Sequence, residues 1–565
     1  MLRKMIHEPD VRVDLAAALA VDAEFEDIRA RIVACFLDSL PAGRRMLLSG
    51  CGSVARRLAI DHGPSLARHR MVFTDGSAAQ PGAFHGHALL PTAQAVAFDP
   101  EQALLLTCTY ESAMRERLSA LPGERVRTLR QIVRDHADDA DRLEAMELIH
   151  AEADRLVPEL MACFTPGGKT LCLIEPDLCG ANLSNVAELR RQGWKVALLA
   201  RRNAQISRPI DRLVPEGYVD WLHEAPSFEV LRLMAPRLLA RFAFGVVLVP
   251  LFHMTLGFVA RLVAASAGPV VTMHDTFLSQ ILEDRGFAEV FLARYGLSEE
   301  RVEPLEHAVL CGAAGMIHRH PEFLNERYGA RHGCQIKALK VLHPIDPVRN
   351  PLPERFSAKT GRPHVVSIFS LYTDPLVTVH MGYPLSCILE PIKELTAQGV
   401  HVTVFNPMDL GSGHEYDRLR ELAAANPLFE YHGLQPFDTL MERLPRYDFG
   451  WLCRRIDRVE VEYTRTHLPF AVFAFLEARV PVLASPETEY LASIVADNGI
   501  GLVLPSDQWP RAGEILRTFD RAAYDQAADA FAEELSTARL AGRMAAFFDE
   551  IRAGERTRTA AQEAR

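Results

Sequence analysis

The chain has 565 residues, too many for one hydrophobic core, and roughly three or four domains are expected. Hydrophobic residues make up 48% and charged residues 24% of the sequence, the balance of a water-soluble globular protein. The net charge of −11, without a long Lys/Arg cluster, argues against a nucleic-acid partner.

The cysteines and the hydropathy of the sequence indicate in which cellular compartment the protein is found. The ten cysteines include no CxxC pair, and several lie in apolar, strand-like runs, which favours a reducing cytoplasm and no structural zinc. The N-terminal segment lacks the apolar core of a signal peptide. The longest apolar run, residues 242–252, is about half of the roughly 20 residues that a membrane helix needs. We therefore expect a cytoplasmic protein without a transmembrane segment, and peripheral membrane contact is left open.

The first predicted unit, residues 1–130, contains a glycine-rich turn. Gly50-Cys51-Gly52-Ser53-Val54-Ala55 follows a predicted strand, precedes a helix and fits the G-x-G-x-x-A form of dinucleotide-binding turns. Glycines here let the backbone approach a pyrophosphate, and Asp75, after the next strand, could hold a ribose hydroxyl. Gly50, Gly52 and Asp75 are therefore candidates for binding NAD(P) or another nucleotide. The alternative is that the glycines only permit close strand-to-helix packing.

A helical linker and a second unit follow. Residues 131–165 are charged and helical in pattern, and residues 166–350 alternate buried strands with helices. About a dozen residues per crossover argue for parallel strands. Gly180 precedes one of these helices, where backbone N–H groups could approach a phosphate, with Asn182 beside it.

The third unit, residues 351–553, has the same alternation. Residues 467–505 read as helix, strand, helix and strand, and the chain is then helical to about Ile551. Residues 554–565 are expected to be disordered. The sequence thus predicts an α/β fold with three Rossmann-like parallel-sheet units.

One stretch of the third unit carries a family resemblance. Its spacing runs through Pro469, Leu476, Ala478, Pro481 and Val482, then Gly499 and Gly501. This resembles the P-x-K-x-x-x-Y-L-x-A-G-x-P-V pattern in the donor half of GT-B glycosyltransferases of the family-4-like group. The resemblance implies that residues 166–350 and 351–553 are the acceptor-side and donor-side halves of a GT-B pair.

Several positions depart from the family pattern. Ala471 replaces the Lys and Arg479 the Gly, while Thr466 and Ala474 stand where retaining members commonly have two glutamates. The basic pair expected after the first strand of the donor half is also missing. Glu477 and the arginines between 454 and 465 are imperfect substitutes.

The resemblance also implies site residues, because open parallel sheets bind ligands at the carboxyl ends of their strands. His274, at a strand end, is the candidate base, with Asp275 as its orienter; the alternative is a structural histidine. Glu487 and Glu489 could accept hydrogen bonds from a ribose, or instead favour a helix N-terminus. The donor-binding candidates are Ser370, Tyr372, Gly433, Trp451, Glu487 and Glu489. No metal is implied, because no Asp-x-Asp motif follows a predicted strand.

The predicted activity is transfer of a sugar from a nucleotide-sugar donor to a glycan, glycolipid or protein acceptor, as in polysaccharide biosynthesis. No cofactor is required for this reaction. Two alternatives stay open: a catalytically silent GT-B-like module that binds a glycan or partner, and an NAD(P)-dependent enzyme that uses the N-terminal turn.

Overall fold

The computed structural model describes most of the chain as three α/β units, each built on a mainly parallel sheet. The described residues are 2–75, 80–106, 115, 117–175, 180–201, 213–252, 255–274, 277–283, 285, 288–289, 292, 298–345, 352–368, 371, 386–407, 409, 416–452 and 462–563. No helix in these ranges is long and apolar enough to cross a membrane.

The first sheet has the strand order β3-β4-β2-β1-β5-β6, with β3 and β4 antiparallel and the other pairs parallel. Its strands are β1 (Arg45–Ser49), β2 (Arg70–Thr74), β3 (Gly82–Phe84), β4 (His87–Leu89), β5 (Gln102–Leu105) and β6 (Val126–Thr128). The helices of this part are Leu2–Met5, Pro9–Val21, Glu26–Ser39, Ser53–Asp61, Gly63–Ala67, Thr92–Ala97, Leu129–His136 and Asp139–Cys163. Chain order reverses at β1, since β2 lies on one side of it and β5 on the other.

The second sheet is fully parallel, with the order β13-β12-β11-β10-β7-β8-β9. Its strands are β7 (Thr170–Glu175), β8 (Lys195–Arg201), β9 (Trp221–Ala225), β10 (Val246–Leu251), β11 (Val270–His274), β12 (Gly315–His318) and β13 (Ala338–Lys340). Its helices are Gly180–Arg191, Phe228–Arg241, Leu256–Ala265, Leu278–Leu282, Glu299–Gly312 and Glu322–His332. Most strands are continuous apolar runs, because helices cover both faces of such a sheet.

The third sheet is also parallel, with the order β16-β15-β14-β17-β18-β19. Its strands are β14 (His364–Ser367), β15 (His401–Phe405), β16 (Phe429–His432), β17 (Phe449–Trp451), β18 (Val482–Ala484) and β19 (Gly501–Val503). Its helices are Phe356–Thr360, Ser386–Ala397, Asp417–Ala425, Phe437–Arg443, Glu462–Thr466, Ala471–Glu477, Glu489–Asp497, Ala512–Arg517, Arg521–Glu534 and Thr537–Glu563. The α/β fold class predicted from the sequence is confirmed.

The first and second units share one hydrophobic core, which runs from Ile6 to Val309. The helix Asp139–Cys163, expected as a linker, has a row of buried residues that includes Ile149 and Leu156 in this core. This segment is therefore part of the packed body of the protein.

The last helix crosses back from the third unit to the second sheet. Its residues Leu540, Met544 and Phe548 lie in one core cluster with Leu171 and Trp194, and the Phe548 and Trp194 rings are 5.5 Å apart. The helix continues to Glu563. Residues 554–563 were expected to be disordered; they are helical, because their Ala, Glu and Arg residues favour helix.

Two stacked histidines begin neighbouring strands of the third sheet. His364 and His401 are register partners on β14 and β15, and their rings are 4.5 Å apart. Burial, and secondarily the nearby His401, lowers the pKa of His364 to about 4. Because His364 has an ordinary pKa when the chain is unfolded, the unfolded state binds more protons between about pH 6.5 and 4. Its contribution to stability is therefore lost as the pH falls below 6.5.

We expect His364→Gln to weaken this pH dependence. Between pH 7 and 5, the variant should lose about 2 kcal/mol less unfolding free energy than the wild type, measured by urea denaturation. The variant is compared with the wild type because Asp22 is present in both proteins. Burial raises the pKa of Asp22 to about 6, which changes the unfolding free energy of each protein with pH in the opposite direction. Parallel losses in both proteins would contradict the prediction.

Candidate functional site

A cavity of about 300 Å³ lies at the carboxyl end of the second sheet. Four adjacent parallel strands, β7, β10, β11 and β12, end beside it. Phe470, from the third unit, contributes to its wall, so the cavity faces the junction of the two halves. Polar residues from the strand ends that line it are Glu175, His274 and His318, with Asn185 from the following helix.

His274 is the last residue of β11 and is 1% exposed. Its Nε2 lies 2.9 Å from the Thr272 hydroxyl, which we assign as the acceptor of the Nε2 hydrogen. Its Nδ1 is buried and has no hydrogen-bond partner among the described residues. The unpaired lone pair is therefore on a ring that borders the cavity.

The pKa of His274 is well below its ordinary value, first because of burial and then because of His320 and His318. The ring is accordingly neutral at pH 7. A neutral imidazole with a free nitrogen can accept a proton, which a base for a hydroxyl group requires.

His318 and His320 form a hydrogen-bonded network with Asn325. His318 Nδ1 donates to the His320 carbonyl oxygen at 3.1 Å. The Asn325 amide donates to His318 Nε2 at 2.9 Å, and its oxygen accepts from His320 Nε2 at 2.7 Å. The sequence signal that could have revealed this network is a pair of histidines separated by one residue at a strand end, followed by the helix that carries Asn325. This network holds the ring beside His274 in one orientation.

Several side-chain contacts join the second and third units. The Gln280 amide donates to the Thr466 hydroxyl at 2.8 Å, and Arg327 pairs with Glu462 at 2.7 Å. Lys340 lies 5.1 Å from the centre of the Tyr490 ring. Thr466, at one of the positions where the family has a glutamate, thus serves as a contact between the halves.

The two candidate glutamates of the third unit have different surroundings. Glu489 is the first residue of its helix, and its carboxylate accepts from Arg465 Nε at 2.8 Å and from Nη2 at 3.0 Å. Glu487, between β18 and that helix, is half-buried and has no hydrogen-bond partner among the described residues. The N-cap residue of this helix is Thr488, whose side chain makes no capping hydrogen bond. Glu487 is therefore the freer of the two to bind a ligand.

Two other candidates of the third unit have packing roles in the structure. Trp451 is 0% exposed and packs against Trp509 with ring centres 6.3 Å apart. Its side chain is therefore part of the core and is not exposed to a ligand. A Cβ on Gly433 would lie 2.6 Å from the Asp409 carbonyl oxygen, which explains the glycine by close backbone packing. Ala474 is likewise buried, at 1% exposed.

The remaining candidates are placed only in part. Asp275, Ser370 and Tyr372 lie outside the described residues. Gly180 and Asn182 lie in the first turn of the helix Gly180–Arg191, next along the chain after β7. Within the described ranges, no three His, Cys, Asp or Glu side chains are grouped so that they could hold a metal ion.

The N-terminal turn lies where chain order reverses in the first sheet. Gly50 follows β1 with a φ of 103°, which a side chain disfavours. A Cβ on Gly52 would meet no described atom within 4 Å, so packing does not require this second glycine. Asp75, after β2, accepts a hydrogen bond from the Cys51 amide at 3.1 Å. The structure thus brings Asp75 and the turn together.

We expect Gly52→Val to abolish nucleotide binding by this turn while leaving the fold intact, because the added side chain occupies the space where a pyrophosphate would lie. The test is calorimetric titration of the full chain with NAD, NADP and a nucleotide sugar, with thermal unfolding as the folding control. The full chain is needed because residues 1–130 share a core with the second unit. Unchanged binding, or none in the wild type, would leave the turn without a nucleotide role.

Two parallel-sheet halves in tandem, with the last helix returning to the first half, form a GT-B architecture, as the resemblance implied. No protein-family model matches the sequence, and no curated protein sequence is similar to it.

Several solved structures are similar in shape. A glycosyltransferase from Rickettsia africae ESF-5 has a TM-score of 0.44 and 11% identity, over 68% of this chain and 98% of that one. A UDP-forming alpha,alpha-trehalose-phosphate synthase from Burkholderia xenovorans, in complex with glucose-6-phosphate, has a TM-score of 0.43 and 12% identity, over 67% and 99%. AviGT4, a glycosyltransferase involved in avilamycin A biosynthesis, has a TM-score of 0.37 and 13% identity, over 68% and 98%.

Proposed function

We propose that this protein is a glycosyltransferase that moves a sugar from a nucleotide-sugar donor to a hydroxyl group of an acceptor. The observation that carries the proposal is the cavity at the carboxyl ends of four parallel strands, which borders the other half and is lined by His274, whose buried Nδ1 has no hydrogen-bond partner in the described part of the chain. Ligands of open α/β sheets bind at this edge. The proposed acceptor is a glycan, glycolipid or protein, and the proposed setting is polysaccharide biosynthesis in the cytoplasm.

His274 is assigned the role of general base. Its Nδ1 would accept the proton of the acceptor hydroxyl as the oxygen attacks the sugar, while Thr272 holds the opposite nitrogen. Asp275 remains the proposed orienter of this ring.

The nucleoside of the donor is assigned to the third unit, and its phosphates to the backbone of a helix in the second. Glu487 would accept hydrogen bonds from the ribose hydroxyls, since it follows β18 and is not engaged by a described donor. Ser370 and Tyr372 are proposed to contact the nucleotide, and Gly180 and Asn182 to approach its phosphates through the backbone.

We expect Glu487→Gln to weaken donor binding by about tenfold with little change in melting temperature, because a charged acceptor of hydrogen bonds contributes about 1.5–3 kcal/mol. Glu489→Gln is the matched control. It removes an exposed ion pair with Arg465, which contributes at most about 1 kcal/mol to stability, and it should leave donor affinity unchanged. Both affinities can be measured by calorimetry. If the Glu487 variant bound the donor with wild-type affinity, other residues would have to bind the ribose.

The overall reaction can be tested by incubating the full chain with a panel of nucleotide sugars and following nucleoside diphosphate release with and without acceptors. Acceptor-dependent release supports the proposal. Tight binding of a sugar nucleotide without release would instead support a silent GT-B-like binding module.

The silent binding module is favoured by the two positions where retaining members of the family commonly have glutamates. Here Thr466 joins the two halves and Ala474 is buried, so neither position supplies a carboxylate. An NAD(P)-dependent activity would require the N-terminal turn, and the Gly52→Val experiment addresses it separately.

A further inference from the structure

We propose that the acceptor is a small, largely apolar compound with two hydroxyl groups, which binds in the cavity beside His274. The inference rests on the proposed function, because it names the acceptor class of that site. Such an apolar aglycone differs from the glycan, glycolipid and protein acceptors named above.

The walls of the cavity are mainly aliphatic. Leu173 and Leu248 come from the sheet, Val186 and Leu189 from the helix that follows β7, and Met544 from the last helix. A volume of about 300 Å³ is at the lower end of the range for small-molecule sites, which suits a compound of one or two rings. A sugar would place several hydroxyl groups against these walls without hydrogen-bond partners, which is unfavourable.

Two buried acceptor atoms at the cavity point to hydroxyl groups on this ligand. These atoms are His274 Nδ1 and Asn185 Oδ1, on residues that line the cavity and are 1% and 5% exposed. Neither atom has a hydrogen-bond partner among the described residues. Both are acceptors, given the Nε2 hydrogen of His274 that faces Thr272. Buried polar atoms are normally paired, so a ligand with two O–H donors would complete the site.

The charges at the cavity argue against a sugar phosphate. Among the described lining residues, Arg319 is the one Lys or Arg side chain, and it already has an interaction within the protein. Burial lowers the pKa of both His274 and His318, so these rings do not supply positive charge at pH 7. Phosphate recognition normally uses several charge-assisted hydrogen bonds.

Calorimetric titration of the full chain, without any nucleotide, tests the ligand class. The probes are bisphenol A, its dimethyl ether, which has the same apolar body but no O–H donor, and glucose-6-phosphate. We expect bisphenol A to bind, the dimethyl ether to bind at least about tenfold more weakly, and glucose-6-phosphate not to bind. Equal affinity for diol and ether, or binding of glucose-6-phosphate alone, would overturn the proposal.

Two variants locate the binding. Asn185→Leu should reduce the preference for the diol over the ether by about threefold or more, because one acceptor atom is removed. Met273→Phe, at a half-buried lining residue, should fill the cavity and prevent bisphenol A from binding, with circular dichroism to verify folding. Unchanged binding by a folded Met273→Phe variant would overturn the proposal even if the Asn185 variant does not fold.

The outcomes separate this inference from the proposed function. Binding of bisphenol A without turnover of any nucleotide sugar would support the ligand class and count against glycosyl transfer. Transfer to a sugar phosphate, with no binding of bisphenol A, would overturn the present inference alone.

Discussion

Replacing His274 with alanine is expected to lower sugar transfer by about 10²- to 10⁴-fold while donor affinity stays within about twofold. A general base acts on the barrier of the chemical step, whereas donor binding is assigned to residues of the third unit and to the backbone at Gly180 and Asn182, not to His274. Steady-state transfer rates and calorimetric donor affinities, measured on the same preparation, give the two quantities.

The control separates chemistry from packing. His274 is 1% exposed, so its removal leaves a cavity that can itself destabilise the protein. His274→Gln keeps most of the volume and supplies no base, so it should lose transfer as the alanine variant does while retaining more of the stability. Equal losses of transfer and donor affinity, or recovery of transfer by glutamine, would identify a structural histidine.

Replacing Asp14 with asparagine is expected to lower the free energy of unfolding by about 3–5 kcal/mol. Asp14, on the helix Pro9–Val21, has a side chain that is 2% exposed and pairs with Arg232 at 2.8 Å and Arg261 at 2.7 Å. The two arginines lie on two helices of the second unit. The substitution would leave both guanidinium groups largely buried without their counter-charge.

Asp38→Asn is the matched control for this prediction. Asp38 pairs with Arg68 at 2.8 Å, but both side chains are nearly half exposed, at 47% and 45%. Its loss should change the unfolding free energy by no more than about 1 kcal/mol. Urea denaturation of the two variants measures the difference, and equal effects would show that the Asp14 cluster does not stabilise the junction of the first two units.

The ion pairs of Asp14 with Arg232 and Arg261 also show that the first unit is not independent of the second. Residues 1–130 were expected to form a separate unit, yet their helices share a core with the second sheet, and the Ser227 hydroxyl donates to Asp22 at 2.7 Å. The first two units are therefore packed together through a common core.

Strands with long apolar runs could be predicted from the sequence. β7, β10 and β11 are such runs, because strands covered by helices on both faces are apolar throughout. β9 and β13 lack this signal. The sequence of β9, Trp-Leu-His-Glu-Ala, is mixed in polarity, β13 has three residues, and both are edge strands.

Candidate residues at strand ends were predictable for a similar reason. Sequence order identifies the residues that end parallel strands, and parallel strands place their carboxyl ends at one edge of the sheet. This reasoning located His274 beside the cavity and Asp75 beside the N-terminal turn.

Contacts between distant segments depended on the tertiary structure. Sequence patterns reveal which residues prefer burial or a strand end, but a hydrogen bond or ion pair depends on which elements pack together. Asp14 meets Arg261 across 247 residues, Glu489 is held by Arg465 while Glu487 is not, and Trp451 faces the core. Periodicity predicted the three sheets, whereas the free or engaged state of each candidate side chain was decided by packing, because its partners come from other parts of the chain.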